Sequence, residues 1–394
     1  MSLVTDDELG AADVIVEDPE TDEDEVDIET PSAGESLRYF GVDFDVEGLV
    51  RRFEREELIV PRFNPPDEAN QGTGYAAFQR NFVWKKKQMD RFIESILLGY
   101  PVPGIFLVEL ESRQYIVLDG QQRLTTLRDF YRGQYPTPQG KQEFSLTYVT
   151  EDGPFFGKTY ATLTSSDQRL LNNALIQATV VVPTGDEGKL AVYALFERIN
   201  SGGTKLNEQQ IRVAIYNGSL IKTIREMNDD ISWRILFGSP PHRDLKDQEL
   251  ILRYLSLKKV AEPVQNNNEE REYKAPLASF MTKHLDDFDK NFSPSERKRE
   301  MAEFSKACSL LVEASGKSAL RRNRTINAAR TDSILVGLTL ALRNNPDITV
   351  QEVAAAFNKL ESDKEFKEHT EKSTSHRRSV TKRIERSVKA FQGR

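Results

Sequence analysis

The sequence predicts an α+β fold: a small mixed sheet in the first half of the chain, followed by an all-helical second half. Two observations carry that reading. Three β-rich stretches (104–110, 114–119 and 176–182) alternate with segments of helical period up to about residue 216. From about residue 218 onward almost every segment places its apolar residues at helical spacing. The predicted organisation is an acidic tail over 1–36, a mixed domain over 37–216 and a helical domain over 217–394.

The elements follow in order. Leu58, Ile59 and Val60 suggest a short element, and a Pro/Asn/Gly loop follows over 64–74. Met89, Phe92, Ile93, Ile96 and Leu97 form a helical stripe that Gly99 and Pro101 terminate. Stretches 104–110 and 114–119, joined by Glu111-Ser112-Arg113, read as a hairpin. Gly120 breaks the second strand, and a helix over 121–131 turns Leu124, Leu127 and Phe130 or Tyr131 inward. The composition over 133–157 is that of a loop. A helix over 166–174 leads into the buried strand 176–182, and a helix over 188–200 ends at a Ser-Gly-Gly-Thr loop. Asn207 and Gln210 have capping-box spacing at the next helix. Further helices are predicted over 219–228, 245–258, 276–288, 294–314, 326–344, 349–360 and 376–391.

Composition narrows the function classes. The 394 residues are 38% apolar, enough for a sizeable core, and no apolar run approaches a membrane span. The start of the sequence carries neither the basic nor the apolar region of a secretory signal, so a cytoplasmic protein is expected. Cys308 is the single cysteine; it excludes an internal disulfide and a cysteine-based zinc site, and its helix reads as core. The formal charge of -8 is uneven: residues 1–36 hold 14 Asp and Glu and no Lys or Arg, which leaves +6 on the remainder. Such a block reads as a disordered solubilising tail, or as an acidic segment that shields a basic surface of the body.

Three stretches could carry chemistry. In Leu118-Asp119-Gly120-Gln121-Gln122-Arg123-Leu124, a strand hands over to a helix within one residue. The unpaired N–H groups of a helix start favour an anion such as phosphate, and Arg123 can fork onto two of its oxygens. Asp119 there would hold a cation, position a water or orient Arg123. The plain alternative is an Asp-Gly turn with exposed polar side chains. In Arg198-Ile199-Asn200-Ser201-Gly202-Gly203-Thr204, adjacent glycines suit a backbone that approaches a ligand closely, or a simple helix cap and connector. In Phe78-Gln79-Arg80-Asn81-Phe82-Val83-Trp84 and the three lysines after it, the aromatics either stack on bases or anchor the following helix.

Together with Ile93–Pro103 and Phe196–Asn207, these motifs resemble the N-terminal domain of GmrSD-type restriction endonucleases, a DGQQR-containing domain of the ParB/sulfiredoxin-like superfamily. The motifs cover about residues 75–216. The resemblance implies a ParB/sulfiredoxin-like fold, a role in restriction of foreign DNA, and binding and hydrolysis of a nucleoside triphosphate with Mg²⁺ or another divalent cation. It implies that Asp119, Gln121, Gln122 and Arg123 are catalytic, with the metal on Asp119. Arg80, Gly120, Thr125, Arg198, Asn200, Ser201, Gly202, Gly203 and Thr204 would complete the nucleotide site.

The nuclease half of two-part family members needs a catalytic His in a β-hairpin, and none of His242, His284, His369 and His376 has that context. DNA cleavage is therefore expected from a separate nuclease subunit, or the chain's role is purely regulatory. The alternative reading is a ParB-like switch that binds nucleotide without hydrolysing it. Residues 372–394 carry a formal +7, and Arg377, Arg378, Lys382 and Arg383 form a candidate DNA-binding face. The same face is equally an ordinary solvated helix surface or a docking strip for the acidic tail. The expected partners are a nucleoside triphosphate and DNA, with no membrane and with self-association left open.

Overall fold

The computed structural model describes residues 14–17, 36–60, 84–110, 112–137, 139–185, 188–199, 207–216, 218–262, 273–274, 276–322 and 324–393. The chain forms two compact units: Thr30–Asn207, and Glu208–Arg394 together with Met1–Glu29. Among the described residues no helix is long and apolar enough to cross a membrane. A two-residue strand, β1 (Val16–Glu17), belongs to the second unit and is described with it.

The first unit is the mixed domain. Strand β2 (Leu37–Asp45) leads into α1 (Val46–Glu54), where Asp45 caps the helix by accepting from the Gly48 N–H at 2.6 Å. Then come β3 (Leu58–Ile59), α2 (Lys86–Leu97), the hairpin β4 (Ile105–Glu109) and β5 (Tyr115–Asp119), and α3 (Gln121–Tyr131). A small hairpin, β6 (Gln134–Thr137) and β7 (Gly140–Glu143), precedes α4 (Ser165–Asn173), β8 (Leu175–Pro183) and α5 (Gly188–Ile199). The five-stranded sheet runs β2-β8-β4-β5-β3. The β4/β8 and β3/β5 pairs are parallel, and β2/β8 and β4/β5 are antiparallel. Both predicted strands of the hairpin and the long strand at 175–183 are where the apolar β-branched runs put them.

Helices α1 to α4 pack on one another, and α5 packs on β8, β2 and β5. On α3, Leu124, Leu127 and Phe130 are fully buried, as their spacing requires. Each such side chain contributes about 2 kcal/mol of transfer free energy. Trp84 packs edge-on against Phe92 at 5.4 Å and belongs to this core. Lys86, at the start of α2, is paired with buried Asp90 and donates to the Ser145 carbonyl, and burial lowers its pKa. Asp90 in turn accepts from the backbone N–H groups of Thr147 and Tyr148 at 2.9 Å each. At Trp84 and Lys86 the stretch is thus an anchor for α2 and for the segment after β7, not a base-stacking face; residues 78–83 lie outside the described residues.

The second unit carries α6 (Glu208–Ile215), α7 (Ser219–Asn228), α8 (Ile231–Phe237), α9 (Lys246–Ala261), α10 (Leu277–Asn291) and α11 (Pro294–Ser315). After the short strands β9 (Arg321–Arg322) and β10 (Thr325–Asn327), it ends with α12 (Ala328–Asn344), α13 (Val350–Ser362), α14 (Lys364–Glu371) and α15 (Arg377–Phe391). Helix α12 is the central one, buried without a break from Ala328 to Leu342. It meets α15 at Gly337, where a Cβ would lie 2.2 Å from Ser387 Oγ, so only glycine allows that approach. Cys308 is fully buried on α11 and burial raises its pKa, as the core reading of that helix expects.

The acidic tail needs one correction. Within 1–36, residues 14–17 are ordered: β1 runs parallel to β10, with Val16 opposite Ile326 and Glu17 opposite Asn327. The ribbon β1-β10-β9 is the one sheet among the described residues of an otherwise helical unit. Apart from Ser36, the rest of the tail lies outside the described residues.

Candidate functional site

The handover from β5 to α3 is built tightly. Gly120 caps the helix with φ +98°, a left-handed conformation that suits glycine, and it supplies no side-chain cap. A Cβ at this position would lie 2.3 Å from Ile105 Cγ2. The first turn of α3 therefore starts directly from the sheet with no side-chain cap, which is the arrangement that suits an anion. Gly120→Ala is expected to cost about 3 kcal/mol, from the left-handed backbone and the forced shift of Ile105. Urea denaturation measures this, and an unchanged midpoint would show that the turn tolerates a side chain.

Arg123 is pinned over that turn. Its Nη2 donates to Asp119 Oδ2 at 2.7 Å and to the Gly104 carbonyl at 2.8 Å. The Arg123 side chain is 13% exposed and that of Asp119 53% exposed, so the carboxylate reaches solvent while the guanidinium is held beneath it. Arg123 Nε is buried and meets no acceptor. Of the three roles open to Asp119, orienting Arg123 is the one made by a contact in the structure. The Gly104 carbonyl is a partner that sequence reading misses, because it depends on β4 lying beside β5 with Phe106 opposite Asp119.

The other predicted residues divide plainly. Gln121 and Gln122 are half-buried in the first turn, and Gln122 Oε1 accepts from the Trp84 N–H at 3.2 Å. Thr125 is 4% exposed and is withdrawn from the site as a nucleotide contact, because its place one turn into α3 faces the core. Arg198 is exposed in the last turn of α5. Arg80, Asn200, Ser201, Gly202, Gly203 and Thr204 lie outside the described residues. At the same end of the sheet, the segments entering β4 and β8 border an open groove of about 690 Å³, with Tyr100, Val102, Arg169 and Leu175 on its walls.

A divalent cation fits this turn only in one way. Among the described residues no group of three or more His, Cys, Asp and Glu side chains could hold a metal. Asp119 offers one solvent-reaching carboxylate, which is what a Mg²⁺ ion bound mainly through phosphates and water requires.

In the second unit, Arg377 and Arg378 are exposed at the start of α15, and Lys382 pairs with Glu385 at 3.1 Å. Arg383 is a correction. It is fully buried, donating to both oxygens of buried Asp332 and to the Thr374 carbonyl, so it holds α15 to α12 and faces no DNA. Arg321, of the second basic cluster, donates to the carbonyls of Leu236, Phe237 and Lys317.

The first unit thus defines a class: a small mixed-sheet domain with a glycine-capped strand–helix turn under a pinned arginine. Residues 68–217 match the family described as GmrSD restriction endonuclease, N-terminal domain. The match implies a component of a restriction or defence system. No curated protein matches the chain.

Proposed function

We propose that the chain binds a nucleoside triphosphate at the β5–α3 turn and hydrolyses it under the control of DNA, in a restriction or defence system whose DNA cleavage belongs to a separate nuclease subunit. The observation that carries this reading is the pinned pair: Asp119 and the Gly104 carbonyl fix Arg123 beside uncapped backbone N–H groups. Preorganised donors of this kind stabilise phosphate charge without reorganisation during reaction. The N–H groups of Gln121 and Gln122 and Nη1 of Arg123 take the phosphate oxygens, and the Gln121 side chain orients the attacking water. Asp119 holds Arg123 and would be the protein ligand to a Mg²⁺ ion, whose charge would offset that developing on the phosphates. The groove beside Tyr100 offers room for the sugar and base.

A second reading has its own support. Asp119 Oδ2 is engaged by Arg123 and Gln122 Oε1 by Trp84, an arrangement suited to holding nucleotide as a switch without turning it over. Phosphate release from the four triphosphates with Mg²⁺, with and without duplex DNA, separates the two. Turnover that rises with DNA and disappears in Asp119→Ala supports hydrolysis. Tight binding without phosphate release supports the switch, and normal turnover in Asp119→Ala removes the site assignment altogether.

A further inference from the structure

The five-stranded sheet ends unequally. At one edge β3 is two residues long and Leu58 is buried, the short, covered form in which an edge strand is ordinarily tolerated. At the other, β2 runs for nine residues, and its register with β8 is unbroken from Leu37 opposite Pro183 to Asp45 opposite Leu175. It contains no Pro, no Lys and no bulge, three of the devices that blunt such an edge. Among the described residues no strand pairs with its outer side.

Hydrogen-bond parity fixes which backbone groups face outward there. The Thr184 N–H donates to the Ser36 carbonyl at 2.9 Å and the Val46 N–H to the Ala174 carbonyl at 3.0 Å, so the even-numbered residues make the bonds to β8. Leu37, Tyr39, Gly41 and Asp43 therefore turn their N–H and C=O groups away from the sheet. The side chains at this edge include two uncovered rings on opposite faces, Tyr39 at 78% exposure and Phe40 at 44%. A Cβ at Gly41 would meet nothing within 4 Å, so the space over that glycine is open.

We propose that β2 pairs with β2 of a second copy of this chain, antiparallel about a two-fold axis through Phe40, so that two five-stranded sheets join into one. Outward-facing residues must pair with outward-facing residues, so the axis passes through a residue and never between two. Centred on Phe40, each Tyr39 lies opposite the partner's Gly41 and each Leu37 opposite the partner's Asp43. The two Phe40 rings meet as a non-hydrogen-bonded pair, the closer of the two kinds. The Tyr39 rings then fill the open space over the glycines, both exposed aromatics are covered, and no like charges stand directly opposite. Centred on Gly41, the two glycines face each other and Tyr39 meets Asp43. Centred on Val42, Tyr39 meets Asp45, whose side chain already caps α1. The pairing is independent of the nucleotide reading above.

The test uses the full chain in analytical ultracentrifugation across a hundredfold range of micromolar concentration. The native chain is expected to rise in mass toward a dimer. The double substitution Tyr39→Lys with Phe40→Lys is expected to weaken association at least about tenfold, because it sets like charges across the axis. Its circular dichroism is expected to stay native, since both side chains reach the surface. Register is read by cysteine cross-linking, in which the native Cys308 is silent because it is fully buried. Phe40→Cys places two sulfurs directly across the axis, within disulfide reach, and is expected to give a covalent dimer on mild oxidation. Val42→Cys, whose two copies stand four residues out of step, is expected to give none. A native chain that stays monomeric throughout, a dimer that the folded double-lysine variant leaves intact, or cross-linking by Val42→Cys in place of Phe40→Cys overturns the proposal. Should the double-lysine variant fail to fold, the two cysteine variants decide by themselves.

Discussion

Asp332→Ala is expected to destabilise the helical unit by about 3–5 kcal/mol. Asp332 is fully buried on α12, and its Oδ2 accepts from Arg253 Nε at 3.2 Å and Nη2 at 3.1 Å. Arg383 Nη2 reaches the same oxygen at 3.1 Å while its Nε reaches Oδ1 at 3.2 Å. One carboxylate therefore ties α9 and α15 to the central helix, and its removal leaves two buried guanidiniums without the anion they share. The size of the effect comes from those stranded charges more than from lost attraction, since a buried pair and an apolar replacement are often close in stability. Chemical denaturation followed by circular dichroism measures it. Replacing all three groups together (Arg253→Met, Asp332→Leu, Arg383→Met) should recover most of the loss. A shift in Asp332→Ala no larger than that of an exposed substitution would show that the network is slack.

The same network marks where sequence reading stops. Arg383 groups by charge with Arg377, Arg378 and Lys382 on one basic helix, yet it follows Val380 by three residues and precedes Ser387 by four, so it sits on the buried stripe. That spacing is visible in the sequence; its partner on α12, far along the chain, is not. The β4–β5 hairpin and the glycine turn were legible because strand alternation and a forced backbone angle are local. Strand β2 was not, since it is an edge strand with Tyr39 78% exposed and only Val42 and Phe44 packed inward. The following helix was legible in principle, with Asp45 as its cap and Val46, Leu49, Val50 and Phe53 at helical spacing. Residues 134–148 look like a loop because what orders them, Lys86 and Asp90, lies more than fifty residues away. At the site, Asp119, Gly120 and Arg123 follow from local pattern, whereas the Gly104 carbonyl needs the sheet.

Arg123→Ala is expected to weaken nucleoside triphosphate binding about 10- to 100-fold, the loss of charge-assisted hydrogen bonds to phosphate. The guanidinium is preorganised by two acceptors, Asp119 Oδ2 and the Gly104 carbonyl, so little of its freedom remains to be lost on binding. Arg123→Lys should recover only part of the affinity. An ammonium can meet one oxygen of Asp119 but cannot also hold a second nitrogen, as Arg123 holds Nη1, toward a phosphate. Asp119→Asn separates pinning from charge: it keeps the shape of the side chain, loses the ion pair, and should weaken binding less than Arg123→Ala while abolishing turnover that depends on a shared cation. Equilibrium binding of each triphosphate and thermal melting of the same samples distinguish a lost contact from a lost fold. Undiminished affinity in a folded Arg123→Ala protein would mean that phosphate, where this chain binds it, is held somewhere other than the turn between β5 and α3.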